Sequence, residues 1–297
     1  MARGRAGEHR YGTVAEELRH RYQELTPTER KPAQALLASY PFAGLETVAK
    51  FAERADVSGP TILRLVGKLG FSGYAEFQQQ LRDELQAQLQ SPLTRHPDRF
   101  GDAEANRDGF LGRFGEAVAD NIRQTIGSVH QSEFDAVVGL LSDARRPVHA
   151  IGGRFTGAIA EYLYQHLHTL RPNVRLIAGP DSGWRNHLLD TGRRHVLLVF
   201  DIRRYQPAVI RFAEESARRG ATVVLFTDQW LSPISGVAKH FLTARIAVPS
   251  SWDSSAGLFV LAEAIIARVS ERLWATASQR VEGLDRLLSP DDHDDGV

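Results

Sequence analysis

Two groups of side chains in this sequence have the types and spacing to do chemistry, and both would act on negative charge. Between Ser58 and Leu69 the apolar residues Ile62, Leu65, Val66 and Leu69 recur at i, i+3, i+4 and i+7, which defines one helix face. Thr61, Arg64 and Lys68 fall on another face, which carries a hydroxyl and two cations and no carboxylate. Such a face suits the major groove of DNA, with Thr61 and Arg64 near base edges and Lys68 on phosphate. The second group could hold a small anion. Ile151-Gly152-Gly153-Arg154-Phe155-Thr156-Gly157 reads as a turn from a strand into a helix, where backbone N–H groups meet the positive end of the helix dipole and Thr156 adds a hydroxyl. A turn of this kind is also common as plain structure. After the apolar run VLLVF come Asp201-Ile202-Arg203-Arg204-Tyr205, whose guanidinium groups can bind carboxylate or phosphate bidentately, or else pair with Asp201 or face solvent.

Other chemistry finds little support. There is no cysteine, which excludes disulfides and thiolate metal sites. The eleven histidines form no H-E-x-x-H, and His166 and His168, two apart on a helix, do not share a face. No G-x-S-x-G occurs. Glu161, His187 and Glu263 could in principle serve as acid or base, but each reads more simply as a surface or packing residue. No metal, no cofactor and no catalysis are expected.

The elements that must position these residues follow from pattern. Ser58 can cap a helix whose first turn tolerates Pro60. Upstream, Thr47–Ala55 places Val48, Phe51, Ala52 and Ala55 at helical spacing. Only Asp56 and Val57 join the two helices, and Asp tolerates the left-handed backbone such a turn needs. Thr13–Leu25 is a helical pattern. Thr26 with Glu29 three residues on resembles a capping box for a helix that runs to about Tyr40 and stops at Pro41. With Tyr74–Gln90 these make an all-helical unit. The polar, Pro-containing stretch Ser91–Asp108 reads as a linker. Phe110–Gly127 and Glu133–Asp143 are amphipathic helices. From Arg146 on, the strands Val148–Ile151, Val174–Ala178, His195–Phe200, Thr222–Thr227 and Phe241–Val248 alternate with helices Thr156–Leu170, Pro207–Arg219 and Ala256–Ala277. Continuous apolar strands such as VLLVF imply a sheet buried on both faces, hence a parallel α/β fold.

Composition bounds the rest. The 297 residues suffice for two domains, and with 42% hydrophobic and 24% charged residues they can build real cores. No run approaches the ~18–20 apolar residues of a membrane span, and MARGRAGEHRYG lacks the apolar core of a secretory signal. A cytoplasmic protein is expected. Net charge is zero, and residues 26–90 hold seven Lys/Arg against seven Asp/Glu. DNA contact must therefore come from a local basic face, which a dimer would double. The first dozen residues, Gly- and Arg-rich, and the acidic end PDDHDDGV read as solvated tails.

Val57, Ser58, Thr61, Ile62, Arg64, Lys68, Leu69, Gly70, Phe71, Gly73, Tyr74 and Phe77 match the pattern V-S-x-x-T-I-x-R-x-x-x-K-L-G-F-x-G-[FY]-x-x-F. By it the chain resembles the RpiR-type bacterial transcription regulators, in which this segment binds operator DNA. The resemblance implies DNA-binding roles for Ser58, Pro60, Thr61, Arg64, Lys68 and Tyr74. Arg146–Leu284 likewise resembles the SIS (sugar isomerase) domain that follows in that family. That implies a flavodoxin-like, five-stranded parallel sheet with ligands at its switch point. In the family, phosphosugars are held by a G-x-G-x-S turn after strand one and an S-x-S-G-x-T turn after strand three. Here the first has Gly152, Gly153 and Thr156, threonine replacing serine, and the second is absent, with Asp201, Arg203 and Arg204 in its place. Thr227-Asp228 followed by Ser232-Pro233-Ile234 is close to the family's T-D-x-x-x-S-P-L.

The expectation is an α/β chain in five parts: a tail and helix (1–25), a helix-turn-helix DNA-binding domain (26–90), a linker (91–109), an SIS domain for effector binding and oligomerisation (110–285) and an acidic tail (286–297). Its function would be transcriptional regulation, as a homodimer or homotetramer, with operator DNA as one partner and no membrane. The other partner would be a small anionic metabolite (sugar phosphate, sugar acid or carboxylate) at Gly152, Gly153, Arg154, Thr156, Asp201, Arg203, Arg204 and Asp228. A sugar-phosphate isomerase-like enzyme and a non-catalytic SIS regulatory module are the alternatives.

Overall fold

A computed structural model describes residues 12–95 and 109–288. The first eleven residues, most of the linker and residues 289–297 lie outside the described residues, while 286–288, expected in the acidic tail, are the end of the last helix.

Six helices form the first unit: α1 (Val14–His20), α2 (Pro27–Ala38), α3 (Phe42–Leu45), α4 (Val48–Arg54), α5 (Gly59–Lys68) and α6 (Tyr74–Leu89). Thr26 and Glu29 do form a capping box at the start of α2. The expected helix over Thr13–Leu25 is two pieces: α1, opened by a second capping box between Thr13 and Glu16, and a 3₁₀ turn over Tyr22–Glu24. Val14, Leu18 and Leu25 share one core with Leu36, Phe51, Ile62, Leu65, Phe77 and Leu81, so the helical unit begins at Thr13 rather than at Thr26. The short α3, a single turn too brief to show periodicity, was not foreseen.

The second unit is a five-stranded, wholly parallel sheet of β1 (Val148–Gly152), β2 (Val174–Leu176), β3 (Val196–Phe200), β4 (Thr222–Asp228) and β5 (His240–Ala244), in the order β2-β1-β3-β4-β5. The apolar run VLLVF has its cause in this layering. Val196, Leu198 and Phe200 enter a core with helices α8 (Gln131–Ser142), α9 (Gly157–Leu170) and α12 (Ala256–Leu288). Leu197 and Val199 point the other way, into a core with α10 (Asp181–Leu189) and α11 (Pro207–Arg218). Helix α7 (Gly109–Ser128) runs along the β5 edge.

Two expectations needed revision. The fifth strand stops at Ala244 instead of Val248: Ile246 and Val248 stay buried, but the backbone leaves the sheet to meet α7, where Thr125 Oγ1 accepts from the Arg245 N–H and Asn121 donates to the Ala247 carbonyl. Burial against a helix and burial in a sheet give the same apolar pattern. Helix α10 was missed because it buries only Leu188 and so has almost no apolar stripe.

The two units touch. Glu16 is held by the Arg245 guanidinium at 2.6 Å, Thr13 Oγ1 donates to the Gln229 carbonyl at 3.2 Å, and the Arg19 guanidinium lies 3.7 Å from the centre of the Phe241 ring.

Candidate functional site

Helix α5 is the second member of the helix-turn-helix. Its entry turn places Asp56 at φ 51°, the left-handed conformation anticipated for it, and Lys31 holds its carboxylate at 2.7 Å. Its exit is a Schellman motif. Gly70 takes φ 92°, its N–H bonds to the Gly67 carbonyl, and the Phe71 N–H reaches back to the Val66 carbonyl while the Phe71 ring is buried. The sequence Lys68-Leu69-Gly70-Phe71 is thus a helix stop, and it aims α6 across the back of α5.

The face expected to read DNA is partly buried and paired within the helical unit. Thr61 is only 2% exposed, and its hydroxyl is taken by Ser58 Oγ at 3.0 Å and Arg64 Nη2 at 3.1 Å. Ser58 has the N-cap backbone of α5 but makes no capping hydrogen bond. Lys68 Nζ lies 2.7 Å from the Glu29 carboxylate. Burial raises the Glu29 pKa, but hydrogen bonds from Lys68 and Thr26 outweigh it and hold the group at about 2. Tyr74 is a post between helices: its hydroxyl donates to the carbonyls of Gly44 and Glu46. The outward stripe of α5 is Pro60, Leu63, Arg64 and Gly67, again at i, i+3, i+4 and i+7. Leu63 is 50% exposed, and Arg64 has no ion pair among the described residues. Leu63 and Gly67, exposed beside Arg64, are not among the residues expected from sequence, because an apolar residue and a glycine carry no polar chemistry. The signal was there: both break the polar pattern on the face opposite Ile62 and Val66.

The second site lies where β1 and β3, side by side, send their following loops in opposite directions, the switch point of a doubly wound sheet. A cavity of about 550 Å³ opens there, lined by Gly153, Arg154, Phe155, Thr156, Asp201, Arg203, Arg204 and Gln206 among others. The structure therefore brings together most of the residues singled out for an effector. Gly152 sits just beneath: a Cβ there would come within 2.6 Å of the backbone of Thr156 and Gly157, so only glycine lets the turn close on the strand end. Thr156 Oγ1 donates to the Phe200 carbonyl at 2.6 Å and accepts from the Gly153 N–H at 2.8 Å, so this hydroxyl pins the turn to β3. The start of α9 beyond it keeps its dipole end toward the cavity.

The acids are tied into the scaffold. Asp201 accepts from Ser232 Oγ at 2.5 Å and from the Gln206 N–H at 3.3 Å; burial, opposed by these bonds, pushes its carboxyl up to about 7. Asp228 does not line the cavity. It lies buried behind it, accepting from the Arg203 N–H at 2.6 Å, the Tyr205 hydroxyl at 2.8 Å and the Trp230 N–H at 2.9 Å, and burial raises it to about 6. These bonds shape the loop after β3 and hold Arg204 in a left-handed conformation, φ 64°. Arg204 and Arg154 are exposed and without ion pairs among the described residues. The Arg203 side chain is buried across the face of Trp230, 4.3 Å from the ring centre.

Part of the cavity wall comes from residues that nothing in their own stretch marked. Gln90, Pro92 and Arg95, at the end of the helical unit, and Trp252 and Asp253, in the loop before α12, complete it. Phe155 and Trp252 meet edge to face at 5.7 Å. Glu161, His187 and Glu263 do not border the cavity.

A helix-turn-helix unit packed on a parallel α/β domain with an arginine-lined cavity at its switch point has the parts of a ligand-responsive regulator. Residues 12–88 match the family model described as a helix-turn-helix domain of the rpiR family, and residues 140–268 match that of the SIS domain, so the chain is a transcriptional regulator that belongs to the RpiR family. It is 24% identical over 244 residues to an uncharacterized HTH-type transcriptional regulator of Haemophilus influenzae, which covers 78% of this chain and 79% of that one. Among solved structures, the sugar isomerase domain of an RpiR transcription factor from Sphaerobacter thermophilus superposes with a TM-score of 0.56 at 20% identity, over 60% of this chain and 98% of that one. The Vibrio vulnificus NanR protein, complexed with ManNAc-6P, superposes at 0.53 with 16% identity, over 94% and 99%. At these identities the superpositions speak for the fold alone.

Proposed function

We propose that this regulator binds operator DNA through the outer stripe of α5 and binds a small anionic metabolite in the switch-point cavity, and that the second event alters the first. The observation that carries the ligand class is the charge around the cavity. Four arginines, Arg95, Arg154, Arg203 and Arg204, border it against two aspartates, and one of these, Asp201, has its carboxyl raised to about 7. The size is that of an ordinary metabolite site. The serine/threonine turn that holds phosphosugars in the family is missing after β3, yet guanidinium groups bind phosphate and carboxylate alike. A sugar phosphate, a sugar acid and a simple carboxylate all suit this lining, and the ManNAc-6P bound to the Vibrio protein is consistent with the first.

No free acid–base pair borders the cavity among the described residues, which supports binding without catalysis. On the DNA side, Arg64 and Leu63 would meet base edges and Pro60 and Gly67 would allow close approach, whereas Ser58, Thr61, Lys68 and Tyr74 shape the helix and its frame. With no net charge to spare, two copies on one operator are the natural arrangement. Exposed Phe110 and Leu111 on α7 and Trp274 and Leu287 on α12 offer apolar surface for self-association, and among the described residues no helix is long and apolar enough to cross a membrane. A cytoplasmic homodimer or homotetramer fits these features.

The test is selection of bound sequences from a random DNA pool, followed by gel shift with sugar phosphates, sugar acids and dicarboxylates. A discrete selected sequence whose affinity changes with at least one anion is expected. Failure to enrich any sequence would remove the DNA-binding role. A response to neutral sugars only would remove the anion site.

A further inference from the structure

Asp253 stands between two arginines from different parts of the chain. Arg95, in the turn that follows α6, brings Nη1 to 2.6 Å from Asp253 Oδ1. Arg203, in the loop after β3, brings Nε to 3.0 Å from Oδ2. The Arg203 Nε–H is buried yet makes no hydrogen bond, so that contact is an attraction between charges with a donor left over. Arg203 Nη1 is engaged elsewhere: it donates at 2.8 Å to the carbonyl of Ala87, in the last turn of α6. The turn after α6 is fastened a second time, by Ser251 Oγ donating to the Arg95 carbonyl at 3.2 Å. Arg95, Arg203 and Asp253 all line the cavity, with side chains 10%, 5% and 17% exposed.

Buried guanidinium groups need an anion, since an unpaired charge away from water is costly. In this cavity the protein supplies one itself. An acidic ligand group arriving at the spare Arg203 donor would lie within a few ångströms of the Asp253 carboxylate, and two like charges cannot share such a site on equal terms. Asp253 sits in the loop between β5 and α12, outside any strand or helix, so it can withdraw at the smallest structural cost.

We propose that Asp253 is a built-in competitor for the cavity's anion, and that an acidic group bound at Arg203 displaces it and so opens the Asp253–Arg95 pair that fastens the end of α6. This rests on the anion-binding reading of the cavity. Ligand and clasp then compete for the same positive charge. The end of α6 belongs to the DNA-binding unit, so cavity occupancy is felt there. The coupling is reciprocal: whatever tightens the clasp weakens the ligand.

The full-length chain is titrated with inorganic phosphate, glucose 6-phosphate and gluconate by calorimetry, and hydrogen exchange is followed over residues 84–95. Asp253→Asn keeps the shape and removes the competing charge. It should bind the most strongly held probe roughly 5- to 150-fold more tightly than wild type, the usual span of a coupling between sites. Its ligand-free exchange over 84–95 should equal that of the saturated wild type. Arg95→Ala removes the other half of the clasp; exchange over 84–95 should be fast from the start and gain nothing further from the probes. Wild-type affinity in Asp253→Asn, or exchange over 84–95 indifferent to ligand in wild type, overturns the clasp while leaving the cavity as an anion site. If neither wild type nor Asp253→Asn binds any of the three anions, the cavity reading fails and the clasp fails with it.

Discussion

Arg64 is the exposed cation of α5 that no carboxylate neutralises among the described residues, and Leu63 beside it is half exposed. Arg64→Ala should weaken binding to a selected operator by ~1–3 kcal/mol if the guanidinium reads a base bidentately. Leu63→Ala should mainly relax the preference at one position, because a leucine can read a base only by apolar contact such as that with the thymine methyl. Gel shifts on the selected sequence and its single-base variants separate the two outcomes. The Asp201 carboxyl makes a different test. Burial raises its folded pKa to about 7, well above the ordinary carboxylate value, so the folded chain binds the extra proton. That stabilisation is complete below pH ~4 and is lost as pH rises toward 7. Asp201→Asn lacks this dependence, so the stability of the variant relative to wild type should rise across that interval in denaturant titrations. A flat difference would mean that Asp201 ionises normally. The sequence showed that Thr61, Arg64 and Lys68 occupy a face, but not which carboxylates fold up against it. Glu29, on a different helix, claims Lys68.

Elements were more legible than partners, for a physical reason. Periodicity, capping boxes and left-handed turn residues act within a few positions of themselves, and the α5 frame, the parallel strands and the Gly152–Gly157 turn all follow from them. Arg95 and Asp253 are 158 positions apart, and no local pattern announces that they meet. Two glycines carry element-scale predictions. Gly70 has open space around its Cβ position but φ 92°, so Gly70→Ala should cost about 1–2 kcal/mol through backbone strain alone. Gly152 has an ordinary φ but no room, so Gly152→Ala must push the Gly153–Thr156 turn off the end of β3. In thermal melts both variants should be destabilised, but only the second should also lose ligand response.

At the scale of the whole molecule, one of the groups that fasten the helical unit to the α/β domain, the Glu16 carboxyl, is raised toward neutrality. Burial raises Glu16 to about 7 even with Arg245 beside it. At pH 5 this carboxyl is already neutral and needs its arginine little; at pH 8 it is charged and depends on it. Arg245→Ala should therefore lower the melting temperature more at pH 8 than at pH 5. Equal losses at both pH values would show that Arg245 acts by packing and not by charge. The expected linker over 91–109 is tied down at its start. The stretch 91–95 is docked against the α/β domain, and α1 lies between the two units, so a boundary drawn at residue 26 would cut through a core.

The stop at Leu69-Gly70-Phe71 has a consequence for anyone wishing to redirect this regulator. Most residues that make the segment recognisable hold the helix at its angle, while of the four proposed to face the operator only Arg64 belongs to the pattern, and Pro60, Leu63 and Gly67 stand in its unspecified gaps. Frame and message are thus written in largely separate positions, with Arg64 shared between them. Grafting Pro60, Leu63, Arg64 and Gly67 onto another chain with the same stop should carry the operator preference along without touching the host's ligand, and such a hybrid would report the signal of one protein at the promoter of the other.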